Sequence, residues 1–332
     1  MKKKVINFLK YIAFFIIGVL LFLWIYKKYG IDWNELKNAN YWWIVLSFLI
    51  GVSSHVSRAI RWNMLIKPLG YTPRTINSFL AVLIMYLTNF ILPRAGEIVR
   101  CSVLARYEKV PFTKLVGTVV VERTTDVIAL IVFATIVILS QIGVFNTYFQ
   151  ENPESQEKIA QLFSTSNIML GLGALLLMLI ITIVFRKFLK KTKIYARITQ
   201  LLKSFLEGLK TISQLENKWI YIGHTLFIYI IWLLAMYVVF FSYEPTKHLT
   251  FSAAMATFVM GALGMIAPVQ GGIGAYHYMV MSTLVIYGIA EKDGFTFAII
   301  AHAAANIPLM LAGAISFMVL PIINRNKEQS IN

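Results

Sequence analysis

Six apolar runs, at about 8–26, 41–60, 115–139, 167–185, 219–242 and 295–322, are each long enough to cross a bilayer, and nothing else in the chain constrains its fold so tightly. A bilayer core takes roughly 20 apolar residues per helical span and leaves no water to satisfy open backbone, so runs of this length fold as transmembrane helices. A chain that is 58% hydrophobic and 14% charged over 332 residues lacks the polar surface of a water-soluble globule. The first run follows Lys2, Lys3 and Lys4, as a signal peptide would, yet it has full spanning length and no A-x-A-like site follows it. It is expected to stay as the first span.

Two further apolar stretches, about 75–107 and 250–290, are interrupted by LPRAG (92–96) and APVQGGIG (267–274). Proline and glycine break the helical ladder, so each stretch is expected to be a pair of half-helices. The fold class that follows is an all-α polytopic membrane protein, with six full spans plus two broken, re-entrant helix pairs. The whole of 1–332 reads as one integral membrane domain. Lys2 to Lys4, Arg58, Arg61, Lys67, Arg74, the basic segment 186–203, Arg325 and Lys327 fall on one side if each broken stretch enters and leaves by the same face. That side is then cytoplasmic, with both termini, and the acidic and polar loop 140–166 lies outside. Apolar positions Ile194, Ile198, Leu201, Leu202, Phe205 and Leu209 share a helical face within 186–216, which fits either an amphipathic helix in the inner interface or a connector packed on the spans.

The two broken stretches align without gaps. ILPRAGEIVR (91–100) against IAPVQGGIGA (266–275) pairs Ile91 with Ile266, Pro93 with Pro268, Gly96 with Gly271 and Ile98 with Ile273. Three spans separate them, so the second enters from the opposite side. The halves, about 41–139 and 219–322, are expected to form an inverted repeat whose interrupted helices meet near the midplane.

Ionisable residues inside spans cost about 2.5–3.5 kcal/mol each on insertion scales and belong to a bundle interior or a wet cavity. They concentrate in the first half. His55 and Arg58 are three apart, Glu97 and Arg100 likewise, and Glu122 and Asp126 are four apart with Arg123 round the helix. Arg58, Arg61, Arg94, Arg100 and Arg123 against Glu97, Glu122 and Asp126 sum to 5 − 3 = +2. Arginine's planar fork suits phosphate oxygens, and the amides of the half-helix opening at Gly96 would favour the same anion. The alternative is that these groups only pair with one another and hold helices together. Arg61 has a further alternative, reaching the inner head groups. In the second motif Gly271, Gly272 and Gly274 permit close backbone approach to a ligand or to a helix, and His277 and His302 are the titratable groups nearby.

Other chemistries lack a foundation. Cys101 is the only cysteine, the five histidines form no H-x-x-x-H or H-E-x-x-H pattern, and no G-x-x-x-x-G-K-[ST] loop is present. No metal, nucleotide or other cofactor is expected, and no nucleophile motif points to catalysis. The net charge of +16 sits mostly between apolar runs, where it sets orientation and meets anionic lipid heads; nucleic acid is not an expected partner.

NFILPRAGEIVR (89–100), ERTTD (122–126) and APVQGGIGAYH (267–277), in that order and spread over almost the whole chain, resemble the lysylphosphatidylglycerol synthase transmembrane-region family, also called the flippase-like domain family. The resemblance implies a lipid-handling domain, which in the synthase moves the aminoacylated lipid between leaflets. It also implies roles for Pro93, Arg94, Gly96, Glu97, Arg100, Glu122, Arg123, Asp126, Pro268, Gly271, Gly272 and Gly274. Where an acidic residue is common in the family after the glycines, this chain has His277. With the sequence ending ten residues after the last run, no aminoacyl-transfer domain is expected.

The resulting expectation is translocation of a phospholipid or polyprenyl-phosphate lipid across the cytoplasmic membrane. Its headgroup site comprises Arg58, Arg94, Gly96, Glu97, Arg100, Glu122, Arg123, Asp126, Gly271, Gly272, Gly274 and His277. An intramembrane lipid-modifying enzyme, with Glu122 or Asp126 as base, and a non-catalytic partner of a separately encoded enzyme are the alternatives. Self-association as a homo-oligomer stays open.

Overall fold

A computed structural model describes residues 36–92, 95–154, 207–267 and 269–329, with isolated positions in 16–27, 157–173 and 199. The expected spans at 8–26 and 167–185, the segment 186–206, and Pro93, Arg94 and Pro268 fall largely or wholly outside these residues. The described part is helical throughout, with no strand among the described residues.

The first half opens with α1 (Tyr41–Ile66), whose start is capped by the Asn40 side chain accepting from the Trp42 N–H at 3.1 Å. It continues through the half-helices α2 (Thr75–Ile91) and α3 (Gly96–Glu108) to the long α4 (Phe112–Ser140) and a short α5 (Ile142–Glu151). The second half repeats this order with α6 (Lys218–Phe240), half-helices α7 (Phe251–Ile266) and α8 (Ala275–Ile286), and the long α9 (Glu291–Gln329). Four of these helices, α1, α4, α6 and α9, are long and apolar enough to cross a membrane.

Both breaks fall where the sequence places proline. Leu92 (φ −129°, ψ 104°) and Ala267 (φ −50°, ψ 141°) are extended, as residues before proline must be. Each broken stretch then folds back on itself through a glycine. A methyl on Gly96 would collide with the Met85 carbonyl, and one on Gly264 would lie 2.7 Å from Tyr276 Cα. Gly96 therefore serves close packing of α3 on α2, and its N–H is donated to Asn89 Oδ1 at 2.8 Å, which takes one of the amides expected to be open to an anion.

Packing partners are exchanged between the halves. α1 lies along α6, α9 packs on α2, and α4 on α7, as halves related by a two-fold exchange require. Beyond 206 the connector packs on the spans, with Ile212 and Leu215 against Leu65, Val121 and Tyr221.

Candidate functional site

α1 runs past the 41–60 run to Ile66, so Arg58 and Arg61 both lie within it, above a buried Trp62 and Ile66. This corrects the head-group reading of Arg61. Its side chain has no exposed surface and donates from Nη2 to Asp126 Oδ1 at 2.6 Å and from Nη1 to Thr225 at 3.0 Å. The spacing to Arg58 was the available signal; the extra turn of helix that buries it was not visible.

α1, α3 and α4 bring four arginines onto two carboxylates. Glu122, fully buried, accepts from Arg100 at 2.8 Å and Arg123 at 3.1 Å, with Arg58 at 3.4 Å and Arg61 at 3.5 Å. Asp126 meets Arg61, Arg58 at 3.4 Å and Arg123 at 3.5 Å. The ion-paired groups sum to 4 − 2 = +2. Arg100 is thus paired across helices with Glu122 and not with Glu97 one turn earlier. Glu97 Oε2 is buried with no hydrogen-bond partner among the described residues. Aromatic rings flank the cations: Arg100 lies 4.5 Å from the Trp62 ring centroid, and Arg58 lies 5.3 Å from Trp232 and 5.9 Å from Tyr86. Trp62 donates to Thr118 at 2.9 Å and Tyr229 to the Asp126 carbonyl at 2.7 Å, so the frame is fixed.

The cluster has a front and a rear. Arg58, Arg123, Asp126 and His55 face a cavity of about 520 Å³, whereas Arg61, Arg100 and Glu122 stand behind them. Above the charged end the walls are apolar: Leu130 of α4, Met236 and Val239 of α6, Phe258 of α7 and Ala301 and Ala304 of α9. Val127, Met265 and Ile266 line the cavity and are also 51%, 42% and 56% exposed, so it reaches the apolar surface between α4 and α7. The Nε groups of Arg58, Arg61, Arg100 and Arg123 and His55 Nδ1 are buried without hydrogen-bond partners. The Arg58 and Arg123 side chains at the end of an apolar chamber fit an amphiphile with an anionic head. Tyr86, Tyr229 and Trp232 complete this end, and no spacing rule marked them in advance.

The second motif forms a separate cluster. Gly271, Gly272 and Gly274 have φ of 59°, 69° and 83°, which glycine adopts freely. His302 Nε2 donates to the Gly271 carbonyl at 2.6 Å, and His277 Nδ1 accepts from the Gly274 N–H at 3.3 Å, with their rings 4.8 Å apart. Both histidines hold the glycine turn, and neither they nor these glycines line the cavity. No three His, Cys, Asp or Glu side chains converge as a metal set among the described residues.

Broken half-helices, long apolar helices and a buried arginine–carboxylate cluster opening on an apolar cavity make this a multi-pass membrane protein of the broken-helix type. The chain belongs to the family of the lysylphosphatidylglycerol synthase TM region, which it matches over residues 11–313. A similar protein is the "UPF0104 membrane protein MJ1595" of Methanocaldococcus jannaschii, 34% identical over 128 residues, or 37% of this chain and 38% of that one. The likeness thus spans well under half the length of that relative. No solved structure matches the chain.

Proposed function

We propose that this protein moves a phosphate-bearing lipid, a phospholipid or a polyprenyl-phosphate lipid, between the leaflets of the cytoplasmic membrane. The observation that carries the reading is the cavity itself, charged at one end by Arg58 and Arg123, apolar along its walls, and bordered by exposed Val127, Met265 and Ile266. The phosphate occupies the end lined by Arg58 and Arg123, where the paired cluster carries a surplus of +2, while the acyl chains stay in lipid through the gap between α4 and α7. Movement is downhill or coupled to an ion. Family membership supports a lipid-handling role, and the Lys and Arg distribution supports cytoplasmic termini.

The test is leaflet exchange in proteoliposomes of phosphatidylglycerol carrying a tail-labelled reporter lipid. Exchange that depends on the protein and fails in Arg58→Ala and Arg123→Ala is the expected result. A chemically altered reporter would replace this reading with the lipid-modifying enzyme, and neither exchange nor alteration would leave the protein as a partner of a separate enzyme.

A further inference from the structure

The exchanged packing of the two halves gives two equivalent seams, α4 on α7 and α2 on α9, and each is fastened at one end by a buried amide. At the first, Gln141 Oε1 accepts from Ser252 Oγ at 2.7 Å and from Tyr287 OH at 2.8 Å. At the second, Asn324 and Asn77 exchange side-chain hydrogen bonds at 3.0 Å in both directions, and Arg74 donates to Asn324 Oδ1. The register of the two motifs is 266 − 91 = 175, and it carries Asn77 onto Ser252 (77 + 175 = 252). Gln141 closes the end of α4, whereas Asn77 also donates to Glu108, just before α4 begins, so the fastenings lie toward opposite ends of that helix, whose 29 residues extend about 43 Å at about 1.5 Å per residue.

Equivalent in plan, the seams differ in state. α4 and α7 touch through Phe133 and Phe258, ring centroids 6.2 Å apart, and then diverge so that the cavity reaches the surface at Val127 and Ile266. α2 and α9 are closed: Leu83 and Ile84 pack with Leu309 and Leu320, and a methyl on Gly313 would lie 2.7 Å from the Leu83 carbonyl oxygen. Leu309 also lines the cavity, so this seam borders the chamber.

We propose that the α2–α9 seam is a second lipid portal, hinged at Asn77–Asn324, which opens as the α4–α7 gap closes. The proposal rests on the translocation reading. An inverted repeat can exchange the conformations of its halves, so the arrangement now held by α4 and α7 is one that α2 and α9 can adopt. The open seam keeps its Gln141 fastening, which makes the amides hinges and the apolar contacts the moving part. Pro308, beside Leu309, lacks the N–H that would hold α9 straight at that level. The chains of the same phosphate-bearing amphiphile would pass here.

Two measurements test this in a Cys101→Ser background. In Leu87→Cys/Leu309→Cys, where Leu87 Cβ lies 2.7 Å from the position a methyl on Gly313 of α9 would take, a short reducible bifunctional thiol reagent should slow exchange of the reporter lipid at least tenfold, with recovery on reduction. Linked Leu87/Leu309 protein with an unchanged rate would overturn the portal. Because replacing the buried Leu309 can disturb folding, spin labels at the exposed positions Ile91→Cys and Leu311→Cys in phosphatidylglycerol nanodiscs give an independent readout. Two distance populations are expected, and a single one would overturn the portal while leaving translocation standing. Absence of exchange in the unmodified protein would instead remove the translocation reading beneath it.

Discussion

Gln270 Nε2 donates to the carbonyls of Phe90 and Ile91 at 2.9 and 2.8 Å, so a side chain in the second broken stretch caps the helix end of the first. The last carbonyls of α2 have no intrahelical donor, and Gln270 supplies it from the other half. Gly271 follows with its Cα against the Phe90 ring, where an added methyl would lie 3.1 Å away. Gln270→Leu removes both bonds, and a cost of about 1–3 kcal/mol is expected. A lower melting temperature in detergent checks it, and an unchanged one would mean that the breaks are held by other contacts.

The glycine at the opening of α3 is a second fixed point. Gly96→Ala should lose about 1–3 kcal/mol by overpacking against Met85 and Asn89. Gly117→Ala, on α4 where a methyl meets nothing within 4 Å, should gain up to about 1 kcal/mol from helix propensity. Parallel thermal melts compare the two, and equal shifts would contradict the close approach of α2 and α3.

Much of the fold was legible because membrane helices announce themselves by length and because proline and glycine mark breaks. α2 with α3 and α7 with α8 fall where LPRAG and APVQGGIG divide the apolar stretches. The charged residues were legible as members of one site, since burying them singly in a bilayer is costly, and the structure joins Arg58, Arg100, Glu122, Arg123 and Asp126. What could not be read is pairing across helices. Local spacing matched Arg100 to Glu97, whereas a bundle brings Glu122 closer from another helix. The hydrogen bonds of His277 and His302 to the glycine turn likewise depend on α8 and α9 meeting in three dimensions.

Orientation is testable at two exposed lysines. Lys67, at the end of α1 among the basic residues, is expected on the cytoplasmic side, and Lys247, between α6 and α7, outside. With Cys101→Ser, an impermeant maleimide on intact cells should label Lys247→Cys and leave Lys67→Cys unlabelled until the membrane is opened. The reverse pattern would invert the whole arrangement.

Front and rear residues of the arginine cluster should respond differently to substitution, and this separates a headgroup site from a structural brace. Glu122 is the anion on which all four arginines converge, fully buried. Glu122→Gln changes the paired sum from 4 − 2 = +2 to 4 − 1 = +3 in a low-dielectric interior, and a loss of about 3–5 kcal/mol is expected, seen as a large fall in melting temperature. Arg123 is 39% exposed and faces the cavity, so its pairs with Glu122 and Asp126 are partly screened by their surroundings. Arg123→Ala also lowers the surplus to 3 − 2 = +1, which relieves repulsion among the remaining cations. Its melting temperature should therefore stay within a few degrees of the parent, while leaflet exchange should fall at least tenfold through loss of a phosphate donor at the chamber's end. If Arg123→Ala instead loses stability in proportion to exchange, or keeps full exchange, the cluster is a brace and the phosphate has no site there.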